Sequence, residues 1–128
     1  MIRNMTGAIA LIVAAFGISA QARPLKPEQE ARIHPAGKAV DCVPLTAIRS
    51  TRVRDDRTID FYMTGKRVYR NVLPHRCPEL GFEERFSYST SISQLCSVDI
   101  ITVLHSPPVM RGASCGLGAF QPISGAPR

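Results

Sequence analysis

Ile59-Asp60-Phe61-Tyr62-Met63-Thr64-Gly65-Lys66-Arg67-Val68-Tyr69-Arg70-Asn71-Val72 is the stretch whose reading decides the fold. Ile59, Phe61 and Met63 alternate with Asp60 and Tyr62, the period of a half-buried strand. Thr64-Gly65-Lys66 is a tight-turn signal, and Arg67–Val72 reads as the returning strand of a hairpin. A two-residue turn at Thr64-Gly65 sets Phe61 opposite Val68. One at Gly65-Lys66 sets Met63 opposite Val68. Either choice keeps Ile59, Phe61, Met63, Val68 and Val72 on one face. The same parity puts Arg70 on that apolar face, where a guanidinium needs a carboxylate partner or an edge position.

Toward the N-terminus, Ile48–Arg54 reads as a further strand, joined through Asp55-Asp56-Arg57. An odd-numbered loop sets Val53 opposite Ile59, Thr51 opposite Phe61 and Arg52 opposite Asp60. An even-numbered loop would turn Arg52 and Arg54 into the apolar face, so the odd one is expected. The paired acids are read as turn formers. Toward the C-terminus, Pro74 and Pro78 break the chain. Phe86–Ser89 reads as a short strand and Ser91–Leu95 as a turn or single helical turn. Val98-Asp99-Ile100-Ile101-Thr102-Val103-Leu104 is the most hydrophobic segment of this region and rich in β-branched residues, as a central strand covered on both faces would be. Asp99 in that strand has the complementary problem to Arg70, and the two are expected to form a buried ion pair. Gly112–Gly118 reads as a loop and Ala119–Ile123 as an edge strand, because Pro122 cannot donate to a ladder. Five or six short strands at this spacing predict an all-β fold, a small antiparallel barrel or a strongly bent sheet.

The four cysteines, Cys42, Cys77, Cys96 and Cys115, stand 35, 19 and 19 residues apart. None of these is the close spacing of a zinc knuckle or a redox pair. The first 22 residues, MIRNMTGAIALIVAAFGISAQA, carry one positive charge at Arg3 and an apolar run of about 13 residues, and they end in Ala20-Gln21-Ala22. That is the pattern of a cleaved export signal, and the run is shorter than the roughly 20 residues that span a bilayer. The expected product is a periplasmic or secreted chain beginning near Arg23, with no permanent membrane anchor. Exported thiols meet an oxidising compartment and pair. Four cysteines allow three connectivities. The preferred one joins Cys77 to Cys96 across a local loop and Cys42 to Cys115 across the domain. Residues 23–40 are Pro-rich and charged, and read as a flexible leader with one helical turn around Glu28–Arg32. The β domain is expected over 41–123, with 124–128 as a disordered tail.

The signal segment holds one of the chain's 16 Lys and Arg residues and none of its 10 acids, so the formal charge of +6 becomes +5 on cleavage. The charges interleave and form no run, which argues for a solvated surface and against a nucleic-acid partner. No phosphate loop, His-Glu-x-x-His or Gly-x-Ser-x-Gly motif occurs. Gly116-Leu117-Gly118 lacks the helix that a dinucleotide fingerprint requires. His34, His75 and His105 are scattered. A His75/His105 pair is the one arrangement that would support a small hydrolase or metal-assisted enzyme. Polyanion binding is the other alternative. Neither a cofactor nor a metal is expected.

The runs Thr51–Ile59, Val68–Pro74 and Arg76-Cys77-Pro78, continued by Phe86–Thr90, Leu95–Ile101 and Ser114–Gly118, resemble a family of small exported bacterial proteins of unknown function with four cysteines. The resemblance covers about 42–123. It implies that the export signal and the cysteine set belong together, and it brings no reaction, ligand or functional residue. The sequence is therefore read as a non-enzymatic binding or interaction module, with an envelope protein or glycan as partner. Its expected working surface is the outer face carrying Arg52, Asp60, Tyr62, Arg67 and Tyr69, with the Gly112–Gly118 loop. Tyr and Arg are residues that interfaces favour.

Overall fold

The computed structural model describes residues 24–128, so the export signal expected over 1–22 lies outside the described residues. In chain order the elements are α1 (Pro27–Glu30), β1 (His34–Pro35), β2 (Cys42–Pro44), β3 (Ile48–Val53), β4 (Thr58–Met63), β5 (Val68–Val72), α2 (Leu80–Glu83), β6 (Phe86–Tyr88), β7 (Gln94–Cys96), β8 (Ile100–His105), β9 (Met110–Gly116) and β10 (Phe120–Ser124). The fold is mostly β and antiparallel throughout. Its strands divide among a five-stranded sheet ordered β1-β10-β5-β4-β3, a three-stranded sheet ordered β6-β8-β9, and the pair β2-β7. No closed barrel forms among the described residues. The stretch after Pro74 explains the division. Its two short strands find different partners, β6 beside β8 and β7 beside β2.

One apolar core joins the three sheets. Ile59, Phe61 and Phe120 come from the largest, Ile101 and Val103 from the second, and Val43 and Leu95 from the pair. Phe61 meets Phe120 edge to face with ring centroids 5.3 Å apart, and Phe86 at 6.4 Å. Fully burying a side chain of this size contributes about 1.5–3 kcal/mol.

The β3–β4 register is the expected one: Val53 faces Ile59, Thr51 faces Phe61 and Arg52 faces Asp60. The β4–β5 register is not. Thr64, Gly65 and Lys66 together form a three-residue turn in which Gly65 and Lys66 both have left-handed backbones, φ 74° and 65°. An odd-numbered turn reverses the face of every residue on the returning strand. Phe61 therefore lies opposite Tyr69, Ile59 opposite Asn71 and Asp60 opposite Arg70. Tyr69 packs against the core and Val72 is exposed, the opposite of the expected faces. Asn71 is buried and hydrogen-bonded through both ends of its amide. Its side-chain amide donates to the Gly118 carbonyl at 2.7 Å and accepts from the Gly118 N–H at 2.8 Å.

Three further expectations change. The hydrophobic segment around β8 is buried on one face only: Ile101 and Val103 point inward, while Val98 and Ile100 are exposed. Most of the Gly112–Gly118 stretch belongs to β9. β10 is an interior strand, flanked by β1 and β5, and Pro122 is tolerated there while its carbonyl accepts from the Ala36 N–H at 2.9 Å. The segment read as a leader thus supplies α1 and the edge strand β1, and Val40 bridges Phe120.

The disulfides correct the expected pairing. Cys42 bonds Cys96, and Cys77 bonds Cys115. Asp41–Pro44 carries little strand signal, yet β2 pairs with β7 and sets Cys42 directly opposite Cys96, with Cα atoms 4.0 Å apart. Cys77 follows β5 and reaches β9 across a Cα separation of 5.8 Å. The two loops interlace, spanning 54 and 38 residues. Loop closure of this size stabilises by about 4 kcal/mol on the chain-entropy account. All four cysteines are paired, as an oxidising, extracytoplasmic environment favours. No helix among the described residues is long and apolar enough to cross a membrane. Mass mapping of the unreduced, proteolysed protein should return peptides linking Cys42 to Cys96 and Cys77 to Cys115. A Cys77–Cys96 peptide from unscrambled material would contradict this topology.

Candidate functional site

Asp60, expected on a working surface, is fully buried. Its two oxygens accept from Arg70 Nε at 2.8 Å, Arg70 Nη2 at 3.0 Å and Arg54 Nε at 2.9 Å. The register explains this: β5 presents Arg70 directly opposite Asp60, and Arg54 stands just past the end of β3 on the other side. Arg70 also pairs with Glu30 at the end of α1. Its hydrogen bond to Asp60, reinforced by the one to Glu30, holds the guanidinium pKa above its ordinary value despite the opposing pull of burial. Tyr62 belongs to the same network. Its hydroxyl accepts from Arg54 Nη2 at 2.9 Å and donates to the Pro127 carbonyl, which ties down the tail expected to be disordered. The expected Arg70–Asp99 pair is therefore replaced by Arg70–Asp60. Asp99 accepts the Cys96 N–H at 2.7 Å and closes the turn between β7 and β8. Of the five residues expected to share an outer surface, Arg52 and Arg67 are exposed, Tyr62 and Tyr69 are partly covered, and Asp60 is inside. The structure does not bring them together as one face.

One of the clefts among the described residues lies between the β3–β4 turn and the segment leading into α2. It is open to solvent, has a volume of about 550 Å³ and is lined by Arg54, Asp56, Arg57, Arg76, Gly81 and Phe82, together with Pro24 and Asp55. That volume falls within the range of small-ligand sites. Asp55 builds the turn by accepting the Arg57 N–H at 2.8 Å. Asp56 joins the two walls: its carboxylate accepts the Gly81 N–H at 2.8 Å and pairs with Arg76 at 2.7 Å, and its carbonyl accepts the Cys77 N–H at 2.8 Å. Arg57 clamps the base, donating to the Leu73 carbonyl at 2.9 Å and the Pro74 carbonyl at 3.2 Å. Two groups remain available. Phe82 is 54% exposed, and the Arg76 side chain is 72% exposed. Phe82 and Arg76 carried no motif in the sequence. Their position depends on Asp56 and on the Cys77–Cys115 bond, neither of which spacing reveals.

The alternative hydrolase reading would use His75 with His105. His75 is an exposed loop residue. His105, at the end of β8, instead places Nδ1 3.0 Å from Glu83 and 3.2 Å from Glu79, at the two ends of the α2 turn.

Removing the Asp60 carboxylate would strand two guanidinium groups whose side chains are each only 13% exposed. Asp60→Ala should therefore lower stability by about 3–5 kcal/mol, while Arg52→Ala should change it by less than about 0.5 kcal/mol, both read from urea unfolding. Equal effects would contradict the placement of Asp60. Nothing among protein-family models, characterised proteins or solved structures matches this chain, so its site is read from its own geometry.

Proposed function

We propose that this chain is an exported, non-enzymatic binding module of the cell envelope, and that it takes its ligand in the cleft between the β3–β4 turn and α2. One observation carries the reading. An exposed aromatic ring and a largely exposed guanidinium, Phe82 and Arg76, line one cleft of about 550 Å³ whose remaining polar groups are held by internal hydrogen bonds. The paired cysteines and the resemblance to small exported proteins support the compartment.

The chemistry of the cleft favours an acidic, partly apolar segment of an envelope protein. The Arg76–Asp56 contact is a surface ion pair, and such pairs contribute about 0–1 kcal/mol. A ligand carboxylate that accepts two parallel hydrogen bonds from the guanidinium would compete well with it. Phe82 supplies the apolar anchor, and anchors of this kind dominate interface energetics. Arg54 and Arg57, bound to Asp60 and to backbone carbonyls, are fixed beside these two groups.

Mature, disulfide-bonded protein immobilised and exposed to envelope extract should retain a partner that Arg76→Glu and Phe82→Ala each release. Arg67→Glu, on the β4–β5 turn, should retain it. A partner held equally by all three variants, or no partner held by the unaltered protein, would contradict the cleft reading.

A further inference from the structure

The β8 terminus and the α2 turn bring three metal-ligating side chains together outside the cleft. One ligand atom each from Glu79, Glu83 and His105 lies within 4.8 Å of the other two. His105 Nδ1 is 3.0 Å from Glu83 Oε1 and 3.2 Å from Glu79 Oε2. Two ligand atoms each bound at 2.0–2.1 Å in a tetrahedral zinc site stand about 3.3 Å apart. Both nitrogen–oxygen distances are close to that spacing, and the two carboxylate oxygens lie within 4.8 Å of each other.

A hydrogen bond accounts for only part of this arrangement. Nδ1 carries at most one proton, which one carboxylate satisfies. Glu83, with a side chain only 14% exposed, is the natural acceptor. The Glu79 side chain is 58% exposed and has water within reach, yet it turns toward the same nitrogen and toward a second negative charge. Bringing two carboxylates together is unfavourable unless a cation sits between them.

The backbone that carries the glutamates and the ring of His105 are also anchored before any ion arrives. Leu80 of α2 is fully buried, the Gly81 N–H is fixed by Asp56, and Cys77 just upstream is bonded to Cys115. The His105 ring lies over Gly112 of β9, where a Cβ would come within 2.4 Å of Nε2. The missing side chain lets the ring settle against the strand with Nδ1 directed at the two glutamates.

We propose that Glu79, Glu83 and His105 form a binding site for a divalent first-row transition-metal ion, with zinc as the fitting example. One imidazole nitrogen with two carboxylate oxygens suits such ions better than magnesium, which prefers an all-oxygen shell and keeps its water. Three protein ligands leave a fourth tetrahedral position open to water or an added ligand, the arrangement of an open rather than a closed structural zinc site.

Calorimetric titration of mature, disulfide-bonded protein with zinc chloride should show one ion bound per chain, and magnesium should show no comparable binding. Zinc should shift the backbone amide signals of Glu79, Glu83, His105 and Gly112. His105→Ala should weaken binding by about a hundredfold, at the upper end of what losing even an outer-shell partner costs, and Glu83→Gln by about tenfold or more. The double variant His34→Gln/His75→Gln should bind as the unaltered protein does. Absence of zinc binding by the unaltered protein would overturn the proposal whatever the variants do. So would binding unchanged in a folded His105→Ala protein, or binding abolished in the His34→Gln/His75→Gln protein.

Discussion

A fully buried carboxylate, Asp60, sits between two arginines, and the outer side of the five-stranded sheet is organised around it. A lone charge in that position would be prohibitive, and attraction repays the loss of water only when the geometry is complete. Here it is complete. Both carboxylate oxygens are satisfied, and the two arginines pass the network outward, Arg70 to Glu30 of α1 and Arg54 to Tyr62, whose hydroxyl reaches the Pro127 carbonyl. One carboxylate in the middle of β4 thereby links α1 and the Pro127 carbonyl to the sheet. The segment read from composition as a leader is held further by β1, which pairs with β10.

The same hairpin shows how far the sequence alone determines the fold. Alternation in Ile59–Met63 located β4 and its inward face correctly, and the cost of burying Arg52 and Arg54 set the β3–β4 register. The face of β5 was not legible, because it depends on whether the turn holds two residues or three. Lys66 in a left-handed conformation is a choice no local rule makes for a lysine. That one residue moved Arg70 from the core face to the side of Asp60. The cysteines show a related limit. Their oxidation follows from compartment, but their pairing depends on β2, a three-residue strand that forms only because β7 is present to receive it. Tertiary contacts decide such short elements, and propensity does not.

The candidate sites were harder still to read, because their residues are distant in sequence and carry no motif. Phe82 and Arg76 gain meaning only when Asp56, some 20 to 25 positions earlier, binds both Gly81 and Arg76. Glu79 and Glu83 gain theirs when β8 delivers His105 to the same turn. α2 is four residues long, yet it connects the two features. It offers Gly81 and Phe82 to the cleft, and Glu83 to His105, while Leu80 anchors it in the core. A helix this short has little stability of its own. The Cys77–Cys115 bond and Asp56 supply what it lacks, which gives the staples a part in positioning the site as well as in holding the fold.

The dependence of the sheet on its buried charge is tested most directly by a double-mutant cycle between Asp60 and Arg70, using Asp60→Asn, Arg70→Met and the pair, with unfolding free energies measured in urea. Residues in one ion-pair network couple by about 0.5–3 kcal/mol, whereas independent sites add to within about 0.5 kcal/mol. A buried Asp60–Arg70 pair should give a coupling above about 1 kcal/mol, with the double variant less destabilised than the sum of the two single ones. Strict additivity would contradict it.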